Sequence, residues 1–322
     1  MPGLAPFLEG LALPARYCTN CGFWQRHFDT PPDCPLCLDA RHVLPTDGWR
    51  FLTADEAQEA YPMHWRELEP GIWTFWNDPV DGIGARCYLA TSEAGNFMFE
   101  GAAAFSEAAL AHIESLGGID VLSASHPHSY GALWQLQDRF EPELALHPGD
   151  LRWWGAFCVS WTFDERLTVM PGVELHRTGG HFDGHTVAWL ADRKIVCCGD
   201  ALKFELDPED DRRASSISTH KAFVRGIPCS PDECRRYREV FAALDFEQTW
   251  TPFEAAANSG REQALALFDL MLATRPHPRQ VPLAELGAGS GDGLDDGPDD
   301  VTDDGAGIDP SAARSGAATP TC

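Results

Sequence analysis

Two apolar runs, ARCYLA (85–90) and NFMFEG (96–101), are separated by TSEAG and predict a pair of adjacent buried strands joined by a turn. The period then changes. In FSEAALAHIESLGG, Leu110, Ile113 and Leu116 fall on one helical face, with Ser106 placed to cap the start and Gly117 and Gly118 to stop it. IDVLSAS reads as the next buried strand and runs into a His-Pro-His turn. ALWQLQDRF predicts a short helix, and ELALH a strand that ends before Pro148 and Gly149. RLTVM, VELHRT, TVAWLA and KIVCCGD are four further strand-like runs at close spacing. Near the end, NSGREQALALFDLMLATR predicts a helix capped by Asn258, with Leu265, Phe268 and Leu272 on one stripe. Helices between the strands of a mixed sheet predict a layered α/β architecture. No internal repeat is present.

Outside this patterned stretch the chain changes character, which divides it into three segments. Residues 1–50 are rich in Cys and Pro with little helical periodicity, 51–284 carry the alternating pattern, and 285–322 are Gly/Asp/Ala low complexity. The last segment is too poor in aromatic and β-branched residues to offset the entropy of ordering, and is expected to be a disordered acidic tail. From residue 286 onward it holds eight Asp and one Arg, a net of −7, leaving −18 of the total −25 on the rest of the chain. So acidic a surface repels phosphate backbones and anionic lipid, and argues against a nucleic acid or a membrane as partner. No window approaches the roughly 20 apolar residues of a membrane span. The N-terminus MPGLAPFLEGLALPARY lacks a basic n-region, so a cytoplasmic, reducing location is expected.

A reducing compartment favours metal binding over disulfides for paired cysteines. Cys18-x-x-Cys21 and Cys34-x-x-Cys37 are separated by twelve residues. Each pair can form a tight knuckle, and two knuckles complete a tetrahedral site of four sulfurs, whose ion supplies folding energy to a segment too short to bury a core. The segment resembles a zinc ribbon or a rubredoxin-like knuckle pair. Zn makes it structural or a docking module for a protein partner; Fe makes it an electron carrier. His27 and His42 are expected at the surface. Cys87, Cys158, Cys197 and Cys198 are expected as buried apolar fillers in strands.

An ion that activates water needs neutral imidazoles converging from strand ends with one position left open. His126 and His128 follow a buried strand, with a Pro between them. LHRTGGHFDGHTVAWL supplies His181 after two Gly, and His185 four residues on. KIVCCGDAL places Asp200 at a strand end after Gly199.

In that order, SHPHSYGA, TGGHFDGHT and CCGDAL resemble the motif series of the metallo-β-lactamase-fold hydrolase superfamily, over roughly residues 70–255. The resemblance implies a four-layer αββα sandwich with the site at one edge of the two sheets. It also implies metal ligation by His126, His128 and His181, with Asp200 at the position of the bridging carboxylate and His185 at a position that is usually not a ligand. Where the family has Asp-His after the second histidine, this chain has Tyr130 and Gly131, and the last family histidine is replaced near Trp250, Thr251 and Pro252. A two-ion centre of the usual kind is therefore not expected. What remains is a mononuclear or rebuilt site, holding Zn or Fe on His126, His128, His181 and Asp200. Tyr130 is then expected near the open position, where its phenol donates to a developing oxyanion. His220 is either a replacement ligand or an exposed loop residue; His112 and His147 are structural or exposed.

The expected function is metal-dependent hydrolysis of a small-molecule ester, thioester or lactone. The alternatives are a catalytically degenerate fold kept for binding or scaffolding, and a redox protein using an Fe-loaded four-cysteine module.

Overall fold

The computed structural model describes residues 13–80, 82–274 and 279–286. From residue 287 onward the predicted acidic tail lies outside the described residues. The chain begins with a small antiparallel sheet of β1 (Ala15–Cys18), β2 (Trp24–Arg26) and β3 (Phe51–Leu52), ordered β2-β1-β3. Helix α1 (Ala54–Ala60) follows, capped reciprocally by Thr53 and Glu56.

Next comes a meander of β4 (Met63–Glu69), β5 (Ile72–Asn77), β6 (Cys87–Ala90) and β7 (Phe97–Phe99), the last two being the predicted pair. Helix α2 (Glu107–Ser115) begins where Ser106 accepts from the Ala109 amide and ends at Gly117 and Gly118, as predicted. Strand β8 (Val121–Ser123), helix α3 (Leu133–Phe140) and β9 (Glu143–Ala145) complete a six-stranded sheet ordered β4-β5-β6-β7-β8-β9, in which β7, β8 and β9 run parallel.

The second half supplies β10 (Arg166–Met170), β11 (Val173–Arg177), β12 (Thr186–Leu190) and β13 (Ile195–Cys197), then a charged hairpin of β14 (Lys203–Asp207) and β15 (Asp210–Ser218). Helix α4 (Pro231–Ala242), strands β16 (Gln248–Trp250) and β17 (Ala255–Ala256), helix α5 (Arg261–Thr274), strand β18 (Val281–Pro282) and the short α6 (Leu283–Leu286) follow. The second six-stranded sheet is ordered β10-β11-β12-β13-β16-β17, and β14, β15 and β18 form a third, smaller one.

The period-2 alternation of side chains stacks these layers. Phe97 and Phe99 of β7 point into a core shared with Ile195 and Cys197 of β13, between the two large sheets. Met98 points the other way, into a core with Leu110 and Ile113 of α2 and Leu133 and Leu136 of α3. Val196 points away from the sandwich to meet Tyr237 and Phe241 of α4 and Phe268 of α5. The result is helix, sheet, sheet, helix: the four-layer αββα arrangement that the motif order implies.

The Cys-rich segment packs on the helical side of the first sheet. Tyr17, Trp24 and Leu36 belong to the same core as α2 and α3, and the Trp24 indole donates to the Ala103 carbonyl at 2.8 Å. Burying a ring of that size is worth about 2–3 kcal/mol, so the segment is fastened to the domain by packing as well as by any ion.

Three expectations fail locally. Asn258 does not cap α5; its amide bonds both backbone groups of Ala214, and Gln263 accepts from the Gly260 amide instead. The buried stripe of α5 is Ala264, Leu267, Phe268 and Met271, with Leu265 and Leu272 at its margin. Cys158 lies half-buried in a loop, not a strand.

Candidate metal centre

His126 leaves the end of β8 in extended conformation, and Pro127 starts a single 3-10 turn that carries His128. The turn is pressed against the loop after β7. A Cβ on Gly131 (φ +43°) would collide with the Ala102 carbonyl oxygen, and one on Gly101 with that of Tyr130. Only glycine fits such an approach. His181 comes from the loop between β11 and β12, where Asp150 Oδ1 accepts the Gly184 amide at 3.0 Å. Asp200 follows β13, after Gly199 (φ +52°), whose missing Cβ leaves room for Ser125 and His185.

These four residues converge: one ligand atom from each of His126, His128, His181 and Asp200 lies within 4.8 Å of all the others. His181 Nε2 is 3.2 Å from His128 Nδ1, and Asp200 Oδ2 is 3.6 Å from His126 Nε2 and 3.5 Å from His181 Nε2. The outer atoms fix two of the rings. His126 Nδ1 meets Ser125 Oγ at 2.7 Å, and His181 Nδ1 faces the Lys221 carbonyl at 2.5 Å, so its Nε2 presents a lone pair to the cluster. Burial pushes the pKa of all three imidazoles down, that of His181 to about 3, so they are neutral at pH 7. Burial likewise lifts Asp200 to about 7, although Lys203 pulls it back.

His126 Nε2 is fully buried and has no hydrogen-bond partner. A buried acceptor without a donor is costly, and a cation supplies what is missing. Neutral imidazoles, a carboxylate and an orphaned ring nitrogen fit a divalent metal ion.

Other sequence-predicted residues are placed differently. Tyr130 is 3% exposed, packs edge-on against Phe157 and is not among the residues lining the cleft beside the histidines. The tight approach at Gly131 turns the chain inward there, so no oxyanion donor is brought to the open side. His185 Nε2 accepts the Asp200 amide at 3.1 Å while its Nδ1 meets Thr178 Oγ1 at 2.6 Å, which makes it a positioning group for the carboxylate. His220 is buried, bonded to Ser218 Oγ and stacked edge-on against Phe223; it is neither exposed nor within the ligand cluster. His112 is held between Trp65 and Trp73, and His147 accepts from the Gly149 amide. Near Trp250, the Thr251 hydroxyl bonds Glu254, which also pairs with Lys203 at 2.7 Å. An ion pair thus lies close to where the resemblance expects a second-metal histidine.

The second cluster is the cysteine one. Cys18, Cys21, Cys34 and Cys37 are all buried with sulfurs within 4.8 Å of one another; Cys18 to Cys37 is 3.8 Å and Cys21 to Cys34 is 3.5 Å. Four thiolates at the usual Zn–S bond length of about 2.3 Å would be spaced about 3.8 Å apart, so the donor set fits a tetrahedral ion. Bonds from the neighbouring thiols, Cys18 first, pull the Cys37 thiol far down, and His42 adds to this. Asn20 Nδ2 also donates to Cys37 Sγ at 3.2 Å.

His42 corrects the expectation of a surface residue. It is 5% exposed, its Nδ1 donates to the Val43 carbonyl at 2.8 Å, and its ring lies 5.5 Å from that of His128. Burial lowers its pKa, but the bonds to Cys37 and Val43 outweigh this and raise it. Arg41 was also missed. Its guanidinium lies 3.9 Å over the Phe182 ring, is chelated by Asp39 and donates to the His181 carbonyl at 2.7 Å. The Cys-rich segment therefore reaches the histidine centre directly.

Between them is a cavity of about 380 Å³. His128, His181 and Asp200 form its floor, and Arg41, His42 and Val43 one wall.

No protein-family model matches the chain. The uncharacterized protein YmaE of Bacillus subtilis (strain 168) is 26% identical over 262 residues, spanning 79% of this chain and 93% of YmaE. Among solved structures, the metallo-β-lactamase DIM-1 is 12% identical, covers 65% of this chain and 99% of its own, and superposes with a TM-score of 0.48. The metallo-β-lactamase from Erythrobacter litoralis is 14% identical, with 68% and 100% covered and a TM-score of 0.45. FIM-1 from Pseudomonas aeruginosa, in its mono-zinc form, is 14% identical, with 66% and 94% covered and a TM-score of 0.46. The sheet orders and the layering of the helices define the architecture: the chain is a four-layer αββα sandwich similar in arrangement to these metallo-β-lactamases, with one His/Asp group and one four-cysteine group each able to hold a metal ion.

Proposed function

We propose that the protein is a hydrolase that uses a single metal ion at His126, His128, His181 and Asp200 against an ester, thioester or lactone. The observation that carries this reading is the convergence of three neutral imidazoles and a carboxylate, of which His128, His181 and Asp200 line a 380 Å³ cavity. A metal ion bound there supplies Lewis acidity and lowers the pKa of a water towards ~7. The protein's own residues do the rest. Ser125 and the Lys221 carbonyl hold His126 and His181 in orientation, and His185 holds the Asp200 backbone. The Asp200 carboxyl, whose side chain is 18% exposed and lines the cavity, would complete the ligand set from the cavity side.

Metal stoichiometry by mass spectrometry on the purified chain tests the reading. About two ions per chain and turnover of a generic ester are expected, with turnover abolished in His126→Ala and His181→Ala. A single ion retained by the cysteines, or unchanged turnover in both variants, rules it out.

One observation favours a redox reading instead: His42 lies five residues past Cys37 and its ring is 5.5 Å from that of His128, a short route between the two centres. Iron–thiolate absorption in the visible spectrum of the purified protein would support it; a colourless, zinc-loaded protein would not.

A further inference from the structure

We infer that the four-cysteine segment is a substrate-recognition element, and that the pocket it forms with residues 221–227 takes an uncharged, apolar acyl group. This rests on the hydrolytic reading and names its substrate class.

The two cations at the cavity are already spent. Lys203 pairs with Glu254 at 2.7 Å and lies 4.2 Å over the Phe253 ring; Arg41 is chelated by Asp39 and covered by Phe182. Asp39 is shared with Arg152 at 3.2 Å, but the Arg41 nitrogens are turned to Asp39 and the His181 carbonyl, and Lys203 to Glu254. Neither side chain therefore presents a free donor set to offset the desolvation of a carboxylate or phosphate on a ligand. The rest of the lining is largely apolar, with Ile83 beside the module wall and Phe223, Val224 and Phe253 opposite it.

The apolar surface continues out of the cavity. Val43 is 38% exposed, Phe223 48% and Val224 61%, so large side chains from both walls stand at the mouth with water on one side. A patch of that kind marks a binding surface. The two walls are also joined. Arg225 Nε donates to the His42 carbonyl at 2.9 Å, and residues 221–227 close into a small hairpin through Lys221, Ala222 and Ile227. The same hairpin offers its Lys221 carbonyl to His181. One connected frame therefore holds a metal-facing histidine and both apolar walls. At about 380 Å³ the cavity lies at the small end of ligand sites, about 300–1,000 Å³, which suits a short to medium acyl chain.

The test uses the zinc-loaded full chain and p-nitrophenyl acetate, butyrate, hexanoate and the carboxylate-ended succinate monoester. We expect kcat/KM to rise at least ~10-fold from acetate to hexanoate and to fall at least ~10-fold from butyrate to succinate, as apolar pockets discriminate by about that much. Val43→Asp and Phe223→Asp, both at exposed positions, should each collapse the hexanoate-to-acetate ratio without changing zinc content. In parallel, calorimetry with 2-octanone, a neutral ketone that cannot be hydrolysed, reports on the pocket alone. Ketone binding that both substitutions abolish, with no ester turned over, sinks the hydrolytic reading and leaves the pocket standing. A flat acyl series, a preference for the succinate, or ketone binding untouched by either substitution overturns the pocket.

Discussion

The two clusters use the same number of protein ligands to different ends. The cysteine site is closed: four buried sulfurs at tetrahedral spacing surround one point, and Asn20 donates to Cys37 from outside. The His/Asp site is open: the His126 and His181 rings are fixed from behind, and its free side gives onto a cavity. A closed site of four thiolates contributes folding energy, whereas an open one leaves room for water and substrate. The comparison also shows what joins them. Arg41 and His42, four and five residues past Cys37, reach His181 and His128. The site that contributes stability is thereby placed to shape the one that contributes chemistry.

The largest effect should come from breaking the closed site. Cys37→Ser removes a ligand whose ion ties together the two knuckles of a segment with little regular secondary structure, at a cost of several kcal/mol or roughly 10 °C in Tm. Calorimetry should show that drop, and mass spectrometry the loss of about one ion. A variant that keeps its melting temperature would show that packing through Trp24 and Leu36 suffices.

At the open site the pattern should reverse. His181→Ala should lower esterase kcat/KM by at least ~1,000-fold, because it removes a ligand of the water-activating ion. Its melting temperature without metal should change little, since a buried, neutral imidazole is itself expensive. Loss of stability equal to that of Cys37→Ser would erase the distinction between the two sites.

How much of this could be read from the sequence follows the same division. Local pattern placed His126, His128 and Asp200 at or after strand ends, the order of the motifs picked His181 over His185, and the knuckle spacing placed the four cysteines. Arg41 and His42 escaped because their roles arise only when the Cys-rich segment docks on the domain, more than eighty residues away in the chain from His128. Tyr130 was misplaced for the same kind of reason: the close approach of Gly101 and Gly131 decides which way it points, and no local pattern records that contact. The β14–β15 hairpin was missed because its charges, and a register shift at Leu206, break the alternation that would mark Phe204, Ala214 and Ile217 as core residues. Helix α4 was legible in principle, since Ser230, Pro231 and Glu233 form a capping box with Pro in the first turn.

A milder substitution probes the link between the sites. Arg41→Met keeps an unbranched stem over Phe182 but removes the bond to the His181 carbonyl. Groups that orient metal ligands are worth about 10–100-fold in affinity, so zinc competition should show weakening of that order at the histidine site, with the cysteine site still filled. Equal affinity at both sites in variant and wild type would mean that the module only covers the centre.

The smallest effect concerns the strand end beneath the histidines. Glu100 adopts φ +72° and is 1% exposed; its Oε2 accepts the Ser125 amide at 2.8 Å while Oε1 has no partner. Burial lifts its pKa to about 8, against the lowering effect of the Ser125 bonds. An acid whose pKa is raised on folding binds its proton more tightly in the native state, so unfolding releases protons between about pH 4.5 and 8, and stability falls as pH rises through that window. Glu100→Gln keeps an oxygen for Ser125 but cannot ionise. In metal-free protein, the decline in Tm from pH 5 to pH 8 should therefore be shallower in the variant than in the wild type. Parallel curves would mean that Glu100 is already ionised at pH 5, which the uncompensated Oε1 makes hard to sustain.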